Sequence, residues 1–587
     1  MAPLAQLLQP VDLWIGKAVF LPAYVLLSVI AYYLVKLAYS TFIGHYFAPL
    51  RDLPGPIDRS FWAGALPEAF EQEPGITFNR WVRKYGGAIR FKTLVGNDAL
   101  LLSDPFALNH VLLSNPYGYV KPEVAGSSAS DIVGHGLFTA EGEDHRRQRK
   151  IMTPAFSMAH LREYTYVIFD KTRELSDQWR KIVEESVVEE AAFKCPEKRR
   201  EAQEAVAPNE AVIEVNSWLS ALTLDVIGLI GFGHNFDTLS SKSSVLSSAY
   251  KCMSTRVKSK NSAFKLLRTQ VFLWMKRVGR AVNVDVARWI PDPRMQADRK
   301  LRKTLEEESR RIMLEKREAI KIEGEESLQD SKDLIARLIR ASSGEDAKST
   351  LSGEELRGAL MTFLLVGHET TSNQLGIGCT YYLARYPQVQ KKLRDELRAA
   401  QEEHGGQLDW QAVDKLEYLD AVVHELLRCE PVAPLTWREA IADDVVPLGK
   451  PVESVRMPGK ALSHLPIRKG QQIMFPLYAM NRNPELYGED AEEFRPERWL
   501  EIGDKKIKGT GLYNLMTFFN GARGCIGYNL AIMEIKIALA VLVPVFSFAP
   551  RDPDMTIERR AELVARPLIE GEKDLGPRMV LRVALAE

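Results

Sequence analysis

"FFNGARGCIGYN", Phe518 to Asn529, sets one cysteine between glycines, two residues after an arginine and just before an apolar run. The chain has few cysteines to spend: Cys195, Cys252, Cys379, Cys429 and Cys525 are odd in number, scattered, and form no C-x-x-C pair or zinc spacing. Such usage reads as reduced thiols of a cytosolic environment, not as a disulfide framework. Cys525 differs from the rest in its surroundings. The following "IGYNLAIMEIKIALAVLV" reads as a helix, so the sulfur stands near a helix N-terminus, where negative charge is favoured. Glycines at 524 and 527 allow a tight loop whose N–H groups can point at the sulfur.

A thiolate is a strong ligand for iron, and one suffices when a porphyrin supplies the in-plane ligands. Arg523 can then pair with a porphyrin carboxylate, and Phe518 can pack beside the sulfur and exclude water. A single cysteine is more often a buried structural thiol than a ligand. The whole pattern F-x-x-G-x-R-x-C-x-G, Phe518 to Gly527, is far more restrictive. With average residue usage it arises by chance in fewer than ~1 in 10,000 chains of this length.

The rest of the chain is compatible with a large enzyme. Its 587 residues are 46% hydrophobic and 26% charged, enough for a substantial core without disulfides. Lys plus Arg and Asp plus Glu are both 77, so no net charge argues for nucleic acid or an acidic partner. Residues 1–17 form an N-terminal segment. The uncharged stretch "AVFLPAYVLLSVIAYYLV", Ala18 to Val35, lies between Lys17 and Lys36. At 1.5 Å per residue it spans ~27 Å, close to a hydrocarbon core. A retained transmembrane anchor over 18–36 is expected, because the positive n-region and small-residue cleavage site of a signal peptide are not clear. Positive charge follows the span at Lys36, Arg51 and Arg59, which puts the body on the cytoplasmic side. Residues 37–59 are a proline-rich hinge, with Pro54 and Pro56 enforcing an extended connector.

The body, residues 60–587, reads as mainly helical with a smaller β-rich part, an α+β arrangement. Ala88 to Leu102 carries two apolar runs around Gly96-Asn97-Asp98, a hairpin signal. The longest helical stretch begins at a Ser352/Glu355 capping box and must stop at Pro387. It is apolar nearly all round, so it is expected in the middle of the domain. Glu189 to Pro208 and roughly Glu323 to Thr350 are charged and read as solvated insertions.

The Phe518–Gly527 pattern resembles the haem-binding loop of the cytochrome P-450 superfamily, the haem-thiolate monooxygenases. The resemblance covers nearly the whole chain; the anchor and hinge are similar to microsomal members, and the long polar insertions to fungal ones of secondary metabolism. It implies the cytochrome P-450 fold behind an N-terminal transmembrane helix, haem b as cofactor, Cys525 as axial iron ligand, O2, and an NADPH-dependent reductase. It implies an endoplasmic reticulum membrane protein, single-pass, with a cytosolic catalytic body.

Other motifs fall in the family's order. "VGHETT", Val366 to Thr371, puts Glu369 and Thr370 in an apolar helix, where polar groups are costly without partners or a task. The resemblance makes them the oxygen-activating acid and alcohol. A purely structural alternative has Thr370 bonding back to the carbonyl four residues earlier and Glu369 reaching a loop. Val366 departs from the family's Ala or Gly. "ELLR" supplies Glu425 and Arg428, which with Arg498 of "FRPERW" match the family's buried structural triad. "HRRQR" stands at the family's W-x-x-x-R, with His145 replacing tryptophan; His145 and Arg149 are then partners of the haem carboxylates, and Arg438 a third. Arg146, Arg147 and Lys150 are expected to face outward, where a reductase would dock; an ordinary solvated charge run is the alternative. The resemblance assigns the substrate pocket to the segment around Tyr119 to His135, Phe363, Val366, Ala433, Leu435, Thr436 and Leu568. These are mostly apolar or small, which suits a lipophilic small molecule such as a terpenoid. Two other classes remain open at this stage: a haem-thiolate isomerase or dehydratase needing no reductase, and a non-catalytic haem- or lipid-binding membrane protein. Glu369 and Thr370 weigh against both.

Overall fold

A computed structural model describes residues 31, 32, 35, 38 and 49–587, except 61–62, 94–95, 194, 242–245, 247–248, 250–292, 324–332, 343–349, 504, 508 and 562–563. The expected anchor at 18–36 therefore lies almost wholly outside the described residues. Among the described residues, Val215–Phe232 is the one helix long and apolar enough to cross a membrane. It is a core helix, packed along the central helix and tied to it by Thr223 Oγ1 donating to His368 O at 3.1 Å.

The hairpin forms where expected. Strand β1 (Ala88–Lys92) pairs antiparallel with β2 (Asp98–Leu102), Ala88 opposite Leu102. Three more strands complete a mixed sheet: β3 (Tyr119–Val120), β4 (Thr436–Ala440) and β5 (Gln472–Phe475), in the order β1-β2-β5-β4-β3. The β2–β5 pair is parallel and joins segments more than 370 residues apart. Leu50 and Leu53 are buried against this sheet, and Arg90 N donates to Pro54 O. The C-terminal half of the hinge is thus docked on the body.

The central helix runs Gly353–Asn373, capped as the sequence indicates by reciprocal Ser352–Glu355 hydrogen bonds. It continues as a π-helical segment, Gln374–Tyr381, and a last turn to Arg385, two residues before Pro387. Fourteen of the central helix's residues are buried, including Phe363, His368 and Glu369. Carbonyl contact makes one glycine obligatory: a Cβ on Gly358 would collide with the His135 backbone.

Of the two charged insertions, the first keeps to the surface in its helix Pro196–Ala205, which has no buried residue. The second does not. Asp333, Leu334, Ile335, Ala336 and Leu338 are buried, on the helix Leu334–Ser342. The short "DLIARLI" run inside a polar stretch is amphipathic, and its apolar side closes onto the core. Asp333 starts it, accepting from Ala336 N at 2.8 Å and pairing with Lys316 at 2.5 Å.

Candidate active site

Cys525 sits in the loop before the helix Tyr528–Leu542, its N–H donating to Phe518 O at 2.8 Å. The sulfur-bearing residue is accessible, yet it lies deep enough that burial pushes its thiol pKa up, against the Gly527 N–H and the Arg149 charge. The tight turn is made elsewhere than expected. Gly524 and Gly527 have ordinary negative φ. Gly521 carries the left-handed φ of 68°, and a Cβ there would strike Leu112 O. Phe518 is nearly buried beside Tyr528, ring centroids 6.1 Å apart.

Cations converge on this loop from three elements. The helix Gly142–Met152 brings His145 and Arg149; Arg149 Nη1 donates to Gly524 O at 2.5 Å. Strand β4 brings Arg438, which donates to Trp437 O and Thr436 Oγ1 and makes no ion pair among the described residues. Burial, then the Arg523 charge, pulls its pKa down to about 10, opposed by Glu141. Lys121 is lowered to about 8, chiefly by burial, with Glu141 opposing and Arg523 and Arg438 adding to the fall. His145 is buried and held neutral, lowered to about 3 by burial and then by Arg523, Lys121, Arg149 and Arg438. Its Nδ1 lies 3.2 Å from the Tyr117 hydroxyl; with Tyr117 donating, the imidazole proton is on Nε2. The Arg523 side chain is 4% exposed, pairs with Glu141, and leaves its Nε–H without a partner among the described residues. Buried cations in excess of acids, with an orphan donor among them, require an anionic ligand beside Cys525.

Below this cradle lies the triad. Glu425 accepts from Arg428 Nη2 at 2.7 Å and Nε at 2.8 Å, and from Arg498 Nε at 3.4 Å. Glu425 and Arg428 have no exposed surface, and Arg498 has 2%. Burial alone would raise the Glu425 carboxyl; Arg428 and the Arg495 N–H hold it below its ordinary value. Arg428 also donates to Asn481 O, Ala491 O and Glu493 O, and Arg498 to Asp490. The sequence reading missed Trp499, whose Nε1 donates to Glu425 Oε2 at 2.9 Å; it follows Arg498 directly in "FRPERW", which was the available signal.

On the central helix, Thr370 Oγ1 donates to Val366 O at 2.8 Å, and Glu369, buried, pairs with Arg566. Both groups are thus satisfied within the protein, on the local pattern that the structural alternative describes. Glu369 reaches a strand rather than a loop, since Arg566 lies on Ala565–Ile569.

Several pocket and surface expectations need correction. Leu568 has no exposed surface, so it is wall interior and not pocket lining. Leu435 packs against the cluster of Phe78, Trp81 and Phe91 under β1. Tyr119 is buried in the sheet, its hydroxyl donating to Asp444 at 2.7 Å. Thr436 accepts from Arg438 and so belongs with the cations. Phe363 is buried against Phe156, 5.3 Å between centroids, while Val366 and Ala433 are half-buried. Arg147 does not face outward: it donates to Thr350 O at 2.6 Å and pairs with Glu355 at 2.5 Å. Arg147 follows Arg146 directly and so points about 100° round the helix from it; Arg146 and Lys150 remain exposed.

The cytochrome P450 family profile matches residues 54–569. The chain is a cytochrome P450. Similar curated proteins are cytochrome P450 monooxygenase 205 of Postia placenta, 34% identical over 91% of this chain and 93% of that protein, and cytochrome P450 monooxygenase claP of Ampulloclitocybe clavipes, 34% identical over 92% and 93%. Cytochrome P450 monooxygenase 128 of Postia placenta is 33% identical over 92% and 93%. The resemblance to fungal monooxygenases read from the motifs therefore holds, and the enzyme is a P450 monooxygenase. The family's cofactor is a thiolate-ligated haem, and it works with O2 and a redox partner. The residues present fit that group: Cys525 for the iron, and Arg149, Arg438 and Arg523 for the carboxylates, the orphan Arg523 Nε among them.

Proposed function

We propose that this P450 hydroxylates a lipophilic small molecule such as a terpenoid, using electrons from an NADPH–cytochrome P450 reductase. A haem held by Cys525 and the cations around it would supply the oxygen chemistry, with Cys525 as its thiolate ligand. The chain's own residues hold the ligand, exclude water and deliver protons. The observation carrying the reading is the adjacency of a buried carboxylate, Glu369, and a hydroxyl, Thr370, on the largely buried central helix. Thr370 Oγ1 can exchange its bond to Val366 O for a water and present a proton; Glu369 can pass protons inward once it leaves Arg566. The half-buried Val366 and Ala433 supply apolar surface for the substrate.

Reductase-supported turnover of the wild type, Cys525→Ser and Thr370→Val tests this reading. Cys525→Ser should lose the thiolate-type Soret shift of the reduced carbon monoxide complex. Thr370→Val should keep that shift but release several times more peroxide per NADPH oxidised. Unchanged peroxide release in Thr370→Val would remove the hydroxyl from proton delivery.

The sequence motivates a further part of the proposal: residues 18–36 anchor the enzyme in the endoplasmic reticulum membrane with the body in the cytosol. External protease should digest the body in sealed microsomes; protection there would reverse the orientation.

A further inference from the structure

Glu141 is a carboxylate placed among the very cations that the haem carboxylates require. It immediately precedes the helix Gly142–Met152, and three contacts fix it. Oε2 pairs with Arg523 Nη2, and Oε1 accepts from the Lys121 backbone N–H at 3.1 Å and from Lys121 Nζ at 3.4 Å. Arg523 is held a second time, Nη1 donating to Ala140 O at 3.1 Å, and its side chain is only 4% exposed. Each terminal nitrogen of its fork therefore gives one of its two N–H groups to residues 140 and 141. Its Nε–H is buried and has no partner among the described residues. The Tyr117 ring lies 5.1 Å from the guanidinium and supports its plane.

We propose that Glu141 is a positioning residue for the haem. It fixes the turn of Arg523 so that its unpartnered Nε–H is available to the haem carboxylate, and its fixed negative charge lowers the haem's reduction potential. Two effects act with the same sign. A nearby carboxylate favours the ferric over the ferrous form, because the ferric site carries one more positive charge. Glu141 also offsets part of the Arg523 and Lys121 charge, which would otherwise favour the ferrous form. The pair is partly screened, since Glu141 is 29% exposed, but Arg523 carries the influence inward. This rests on the haem-thiolate assignment, which the Soret position of each variant checks separately.

The test is spectroelectrochemical titration of the full-length, haem-loaded enzyme as wild type, Glu141→Gln and Glu141→Asp. Gln keeps the size and the acceptor for the Lys121 N–H but removes the charge; Asp keeps the charge. We expect Glu141→Gln to shift the ferrous-to-ferric preference about tenfold, a rise of ~59 mV for a one-electron couple, with the thiolate Soret intact. Glu141→Asp should stay near wild type. An unchanged midpoint in Glu141→Gln with an intact Soret overturns the proposal. So does an Asp variant displaced as far as Gln, since shape and not charge would then be responsible. If Glu141→Gln fails to load haem, Glu141→Ser decides: this smaller neutral side chain also removes the charge, so the midpoint should rise, and a midpoint that does not rise with the thiolate Soret intact overturns the proposal.

Discussion

Glu425→Gln is expected to yield a protein that loads little haem and unfolds at much lower denaturant. The substitution preserves volume but leaves Arg428 and Arg498 charged and buried, with exposures of 0% and 2%, and takes away the acid that both share. Removing one partner of a buried ion pair costs ~3–5 kcal/mol, against a net folding stability of ~5–15 kcal/mol. Arg428 retains its three backbone carbonyls and Arg498 its Asp490, which is why the loss stays below the full desolvation cost of two cations. The damage spreads toward the haem loop because Asn481, whose carbonyl takes Arg428, also accepts from Met516 N at 2.8 Å and donates to Thr517 at 2.7 Å. Denaturant titration and the yield of the reduced carbon monoxide complex check this. Wild-type values in both would mean that the triad is dispensable.

Glu534→Gln should do the opposite and stabilise the enzyme, but only at neutral and alkaline pH. Glu534 lies on the helix that follows Cys525, is buried, and neither carboxyl oxygen closes a hydrogen bond. Burial raises its pKa from 4.5 to about 8, and the facing Thr371 hydroxyl relieves this only slightly. A carboxyl whose folded pKa is raised contributes stability that is fully present below about 4.5 and is lost as pH rises through about 8. At pH ~7 the loss is on the order of 3 kcal/mol, from 1.36 kcal/mol per pH unit. Glutamine never ionises, so it escapes the loss. Unfolding of both proteins from pH ~5 to ~8 should show a gap that widens with pH. A gap of constant size would mean that Glu534 is not held protonated.

The parts of this enzyme that could be read from the sequence are those written within a few residues of one another. The cysteine loop, the Gly96-Asn97-Asp98 hairpin and the Ser352/Glu355 box each signal through local spacing, and each element stands at the expected place. The Glu425–Arg428 half of the triad is likewise one helical turn. What escaped depends on partners far along the chain. Arg147 looked like one more member of a basic run because its partner, Glu355, is 208 residues away. Glu141 gave no signal in the sequence, because its partner Arg523 lies 382 residues on. Leu334–Leu338 was hidden by its polar neighbours: composition over a long window averaged away a short buried face. Glycine roles were misplaced for a different reason. Sequence shows where glycine occurs, but only the backbone shows that Gly521 needs it and Gly527 does not.

The bond from Arg149 to Gly524 spans 375 residues, and this has a consequence for how the enzyme is made. At ~5–20 residues per second of synthesis, Arg149 leaves the ribosome roughly 20–75 s before the loop that it grips. Throughout that interval the nascent chain carries its cationic helix without the thiol that completes the site. Stable haem capture is therefore an event of the finished chain, and a ribosome stalled before Gly524 displays a P450 that has most of its helices and no grip on iron.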